Sequence, residues 1–208
     1  MRPLLLLLVA LALVGCGKKK PPATSGAQTA LQQQLDRVLR AAAALEGKSR
    51  VVVDGQTHRA DCSGFVGGCY AAIDHQLADP AAGGRSGTEI IFNTLQARGS
   101  ILGPRMTPRP GDVVFFHNTY DRNGNGARDD KFTHVGLVER VESDGTVWFF
   151  HFASGKVKHE PLNLEHPGEA RHPVSGQPAN AWLRRGRGKV MTGQLFFAYG
   201  RPLPPGRG

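Results

Sequence analysis

Residues 58–70 read "HRADCSGFVGGCY". An acidic residue, a cysteine and a small Ser-Gly pair lead into Phe65, Val66, Cys69, Tyr70 and Ile73, which recur at helical spacing. The spacing predicts a helix that starts at or just after Asp61, with Cys62 in its first turn. A helix N-terminus carries partial positive charge and unpaired N–H groups, both of which favour a thiolate. Ser63 and Gly64 leave room for an approaching substrate. Asp61 opposes the thiolate electrostatically but can cap the helix. The seven residues from Cys62 to Cys69 span roughly 10 Å on a helix, whereas disulfide Cα atoms lie within about 7 Å. A bridge between the two is therefore not expected, and Cys69 reads as a buried small apolar residue.

Outward from this stretch, the first half of the chain is helical and the second half extended. "ALQQQLDRVLRAAAALEG" (30–47) places Leu31, Leu35, Val38, Leu39, Ala42 and Leu45 on one face, and Gly47 ends it. "RVVVDGQTHR" (50–59) reads as a short extended segment with a turn at Asp54-Gly55. "TEIIFNTLQARG" (88–99) is a further helix, with Thr88 as its expected cap and Gly99 as its stop. "RPGDVVFFHN" (109–118) turns into a strand. "THVGLVERVESDGTVWFFHFASGKVKHEPL" (133–162) holds two or three strands around an Asp-Gly hairpin turn, and "GQLFFAYGRP" (193–202) is the last. Helices followed by a run of antiparallel strands predict an α+β fold with the helices on a central sheet.

The chain opens on "MRPLLLLLVALALVGC", one positive charge and then an apolar run too short to span a bilayer. Small residues leading into Cys16 resemble a bacterial lipobox. Residues 1–15 are expected to be a signal peptide, Cys16 the lipidated N-terminus, 16–29 a flexible tether rich in Lys, Pro and Ser, and 30–203 the catalytic domain. Gly17 rather than an acidic residue fits an outer-membrane lipoprotein facing the periplasm. The formal charge is +9. Seven Lys or Arg and no Asp or Glu fall between Arg171 and Gly208. A basic surface suits envelope polyanions. Nucleic acid is not expected, because an export signal is present and no nucleic-acid motif is found. A monomer is expected.

A nucleophilic cysteine needs a base. Of eight histidines, His134 opens one expected strand and His151 lies in the next, flanking the hairpin turn. Across antiparallel strands such positions come together. One could accept the Cys62 proton and the other could orient it, as in a catalytic triad. Asp61, Ser63 and His58, beside the cysteine, are candidate substrate contacts.

The ordered set "DCSGFV", "RPGDVVFF", "THVGLVE" and "FFHFASG" resembles the NlpC/P60 family of cell-wall cysteine peptidases, across roughly residues 30 to 155. The resemblance implies a papain-like fold, Cys62 as nucleophile, His134 as base and His151 as third polar residue. It implies hydrolysis of peptidoglycan stem peptides, often between D-γ-glutamyl and a diamino acid, with no cofactor required. The alternatives are a CHAP-like amidase or acyltransferase, whose cysteine context differs from "DCSGF", and a non-catalytic cell-wall-binding lipoprotein. The interval of 72 from Cys62 to His134 is longer than that family suggests. Part of the excess is "NTYDRNGNGARDDKF" (118–132), where Asp121, Asn123, Asn125 and Gly126 fit the first half of an EF-hand loop and Asp129 its ninth position. Phe132 stands where a bidentate Glu belongs. Asp130 could close a shorter calcium loop, and a plain polar turn fits as well.

Overall fold

The computed structural model describes residues 26–103, 106–184 and 188–203. The expected signal peptide and Cys16 lie outside the described residues. Helix α1 covers Gly26–Ala44, starting four residues earlier than the apolar spacing indicated and taking in the end of the expected tether. A hairpin of β1 (Val51–Val53) and β2 (Gln56–His58) follows, turning at Asp54 and Gly55 with both φ angles positive. Then come α2 (Cys62–Ala71) and α3 (Gly87–Ala97). Ser86, not Thr88, caps α3: its side chain accepts from the Glu89 amide. Thr88 is buried instead, because it faces α2.

Five antiparallel strands form the main sheet. They are β3 (Val113–Phe116), β4 (His134–Val141), β5 (Val147–Ala153), β6 (Lys156–Leu162) and, at the far edge, β9 (Phe196–Gly200), in the order β6-β5-β4-β3-β9. A second two-stranded sheet, β7 (Trp182–Arg184) with β8 (Val190–Met191), flanks the basic "RRGRGK" stretch, and a short α4 (Thr192–Leu195) leads into β9. This small sheet was not anticipated; its strands are too short to show alternation. The α+β expectation is met.

Alternation along the strands divides the core in two. Val113, Phe115, Val135, Leu137, Phe150 and Phe152 face α1, α2 and α3, where Leu35, Val38, Phe65, Val66, Ile91 and Leu95 meet them. Val114, Phe116, Val138, Phe149, Leu162 and Tyr199 form the other face, covered by Val190 and Leu195. Burying a Phe or Leu side chain of this kind contributes about 1.5–3 kcal/mol, so the sheet is held from both sides.

The "RPGD" turn locks the sheet to the helices. Gly111 has φ +87°, a value that favours glycine, and its carbonyl accepts from the buried Tyr70 hydroxyl of α2. Asp112 accepts from the Arg109 amide and holds the Arg201 guanidinium at 2.7 Å, joining the start of β3 to the end of β9.

Candidate active site

Asp61 sets the local geometry at Cys62. It is the N-cap of α2, and its Oδ1 accepts from the Gly64 amide at 2.7 Å and from the Ser63 hydroxyl at 2.8 Å. Gly64 is needed here, since a Cβ would lie 2.2 Å from the Arg59 carbonyl oxygen. Cys62 thereby occupies the first position of the helix, partly buried and free of any disulfide, as is the fully buried Cys69. Its Sγ lies 3.6 Å from Thr88 Oγ1, so the N-termini of α2 and α3 meet at the sulfur.

Burial raises the Cys62 pKa and the Asp61 charge adds to the rise; Thr88 and the amides of Val135 and Ser63 work against it. The resting sulfur is therefore held as a thiol, contrary to the thiolate that the helix end alone would favour. Cys69 is pushed up further, by burial alone, and is inert.

The two histidines are joined. His134 Nε2 lies 2.7 Å from His151 Nδ1, their rings edge to face with centroids 5.0 Å apart. Both are buried, on the sheet face that carries Phe116 and Phe149. The contact does not end there. His151 Nε2 lies 2.9 Å from Glu160 Oε2, and the other oxygen of Glu160 accepts from Lys158 at 3.2 Å. Glu160 on β6 was missed in the sequence, where "KVKHEPL" offered one weak strand and no reason to select its acid.

Glu160 determines which nitrogens carry protons. Bonds from His151 and Lys158 hold its pKa down to about 2 despite burial, so it is a carboxylate and can only accept. His151 must then donate from Nε2. Burial lowers the pKa of both histidines to about 4, leaving each neutral with a single N–H. His151 Nδ1 is thus an acceptor, His134 Nε2 is its donor, and His134 Nδ1 keeps the free lone pair. Two steps from the carboxylate, a neutral base with one defined basic nitrogen results.

Cys62 and His134 line one cavity of about 550 Å³, with Ser63, Thr88, Arg122 and Ser154 among its other walls. No hydrogen bond joins Cys62 to His134 among the described residues. Asp61 and Ser63 also line the cavity. His58 does not, against expectation. The β1–β2 turn carries its ring onto α2, where a Cβ on Gly68 would lie 2.9 Å from His58 Cδ2.

The 118–132 loop is closed by its own side chains. Asp121 accepts from the amides of Gly124 and Gly126, Asn123 from Asn125, and Asn125 from Ala127; Asp129 accepts from the side-chain amides of Asn123 and Asn125. Asp130 is buried and accepts from the Arg122 amide. Among the described residues no three His, Cys, Asp or Glu side chains converge as a metal site.

Residues 53–151 match the CHAP domain family. CHAP domains are generally cysteine- and histidine-dependent hydrolases, related to NlpC/P60 through the papain-like fold. The match falls on this neighbouring family rather than on NlpC/P60, and the helices on a five-stranded antiparallel sheet are consistent with its fold. The matched segment contains Cys62 and His134 and stops at His151, so Glu160 and β9 lie beyond it. No curated protein and no solved structure matches the chain.

The buried relay makes stability depend on pH. The unfolded chain takes up protons on these histidines below about 6.5, whereas the folded chain resists until about 4. Their contribution is complete above pH 6.5 and falls as pH drops from 6.5 to 4; that of Glu160 falls between 4.5 and about 2. The melting temperature is expected to decline steadily below pH 6.5. In Glu160→Gln it should be lower at pH 7, by an amount corresponding to about 1–3 kcal/mol for a disturbed buried partner. Nitrogen NMR should find His134 protonated at Nε2 and not at Nδ1. A His134 carrying its proton on Nδ1 would refute the tautomer assignment.

Proposed function

We propose that the protein is a cysteine hydrolase of peptidoglycan stem peptides, with Cys62 as nucleophile, His134 as general base and His151 as its orienting partner. The observation that carries this reading is the shared cavity of Cys62 and His134, with the free lone pair of His134 at Nδ1. Because both groups rest neutral, the reaction begins as general-base catalysis. His134 Nδ1 takes the thiol proton as Sγ attacks the scissile carbonyl. The resulting imidazolium is stabilised through His151 by the Glu160 carboxylate. First-turn amides of α2 face the developing oxyanion. His134 returns its proton to the leaving amine, and water then hydrolyses the acyl-enzyme by the reverse relay. The bond between D-γ-glutamyl and a diamino acid is the proposed target; a CHAP-type amidase acting elsewhere in peptidoglycan is the second reading, favoured by the family match.

Digestion of purified peptidoglycan, with products read by mass spectrometry, tests both. Wild type is expected to release new fragments whose termini name the bond. Cys62→Ala should release none, and His134→Ala should be slowed by about 10²–10⁴-fold. Equal products from wild type and Cys62→Ala would sink the assignment.

The chain is proposed to work as a monomer in the cell envelope, lipid-anchored through Cys16 and facing the periplasm. The order of charge, apolar run and "LVGC" supports this. Cys16→Ser should move the protein out of the membrane fraction; an unchanged distribution would contradict the anchor.

Calcium is proposed as a ligand of the loop bearing Asp121, Asn123, Asn125, Asp129 and Asp130. The loop runs directly into His134, so an ion there would stiffen the segment that carries the base. The melting temperature should rise with calcium and fall with chelator. No difference between the two would remove the ion from this reading.

A further inference from the structure

The walls of the catalytic cavity are unevenly charged. Arg59, Arg85 and Arg122 line it, against one acid, Asp61. They come from three separate elements: the segment before α2, the segment before α3 and the 118–132 loop. Two have carboxylate partners. Arg59 pairs with Asp61 at 2.7 Å, and Arg85 pairs with Glu89 at 3.4 Å in the first turn of α3. Both arginine side chains are mostly exposed, at 81% and 76%, so these pairs are weak and rearrange at little cost.

Arg122 is different. Its Nη2 donates to the Phe132 carbonyl at 2.9 Å, and its guanidinium lies 5.9 Å from the centre of the Tyr120 ring. Among the described residues it has no carboxylate within ion-pair distance. The bond to Phe132 holds it on the loop that leads into His134. A fixed arginine without an acid, beside a second that can swing in, is a fork for a planar anion. The field adds to this, since α2 and α3 both direct their positive N-terminal ends at Cys62. Asp61 and Glu89 offset part of that charge and are already engaged by caps and ion pairs.

We propose that this cleft selects substrates bearing a free carboxylate close to the scissile amide, held by Arg122 with Arg85, and discriminates against the same substrate with that carboxylate amidated. The selection rests on the hydrolase reading, but the anion site can be tested without turnover. Cys62 in the full chain is alkylated with iodoacetate, which is anionic, and with iodoacetamide, its neutral isostere. The rate at Cys62 is read by mass spectrometry of its peptide. The ratio of the two rates cancels the thiolate fraction, so the raised thiol pKa does not enter. N-acetylcysteine, used throughout as its neutral N-methylamide so that it carries no carboxylate of its own, supplies the ratio without a protein field.

At low salt the wild-type ratio should exceed that of N-acetylcysteine by about two- to fivefold, the range of partly exposed charge pairs. It should fall toward that of N-acetylcysteine in 0.5 M NaCl, where screening is short-ranged. Arg122→Gln should lower it, and so should Arg85→Gln, whose exposed side chain leaves folding intact. Arg37→Gln, on α1 and outside the cleft, should not. A wild-type ratio no higher than that of N-acetylcysteine, unchanged in both cleft variants, overturns the proposal. With stem peptides, kcat/KM should favour the free carboxylate over the amide, and Arg122→Gln should reduce that preference mainly through KM. A raised alkylation ratio with neither peptide cut would count against the hydrolase reading while supporting the anion site.

Discussion

A buried carboxylate two hydrogen bonds from the base is the constraint on which the site depends. Glu160, His151 and His134 sit on three neighbouring strands, β6, β5 and β4, and their contacts of 2.9 and 2.7 Å require a single register across all three. A slip of one residue in β5 would turn His151 to the helical face and leave two polar groups buried without partners. Leaving such a group unpaired costs about 1–3 kcal/mol. The relay therefore specifies the sheet as well as the chemistry. The apolar residues beside it, Phe116 and Phe149, keep it dry, which lowers the histidine pKa values and makes a neutral base available.

The second requirement is a fixed sulfur. Asp61 meets it with a short chain of bonds, to Gly64 and Ser63 on α2 and to Arg59 before it. Burial raises the thiol pKa and the same carboxylate adds to the rise, so the cap that positions Cys62 also helps to keep it protonated. In the proposed mechanism activation then comes from His134: a neutral thiol shares a cavity with a neutral imidazole, and charge separates only as the bond to carbon forms.

Much of this was legible in the residues. Cys62 at the start of α2 followed from an acid, a small pair and helical spacing, all local features. The approach of His134 to His151 followed from two strands joined by an Asp-Gly turn, because antiparallel pairing converts sequence separation into proximity. Glu160 did not follow. Its role depends on the β5–β6 register, which pairs Phe149 with Glu160 and His151 with Lys158. No local pattern in "KVKHEPL" distinguishes it from Glu165 or Glu169. His58 failed for the opposite reason. It is close to Cys62 in sequence, but its strand turns it onto Gly68, a space that exists only because Gly68 lacks a side chain. The cap of α3 was misplaced by two residues because Ser86 and Thr88 are both good caps, and only packing against Cys62 decides between them.

Thr88 shows how packing and chemistry share residues here. Released from capping, it is buried against the sulfur and joins α3 to α2 at the point where the nucleophile sits. Gly87 beside it allows this approach, since a Cβ there would lie 2.3 Å from Ser63 Oγ. The closeness of two helix N-termini then has an electrostatic consequence that neither helix has alone. Their positive ends face one sulfur, and the arginines on the adjoining loops extend that field into the cavity. A site that held its thiol by burial alone would be slow to form a thiolate. In the proposed reading, the field that would greet an incoming carboxylate also favours the sulfur anion and the oxyanion that succeeds it, so substrate selection and activation would draw on the same charges.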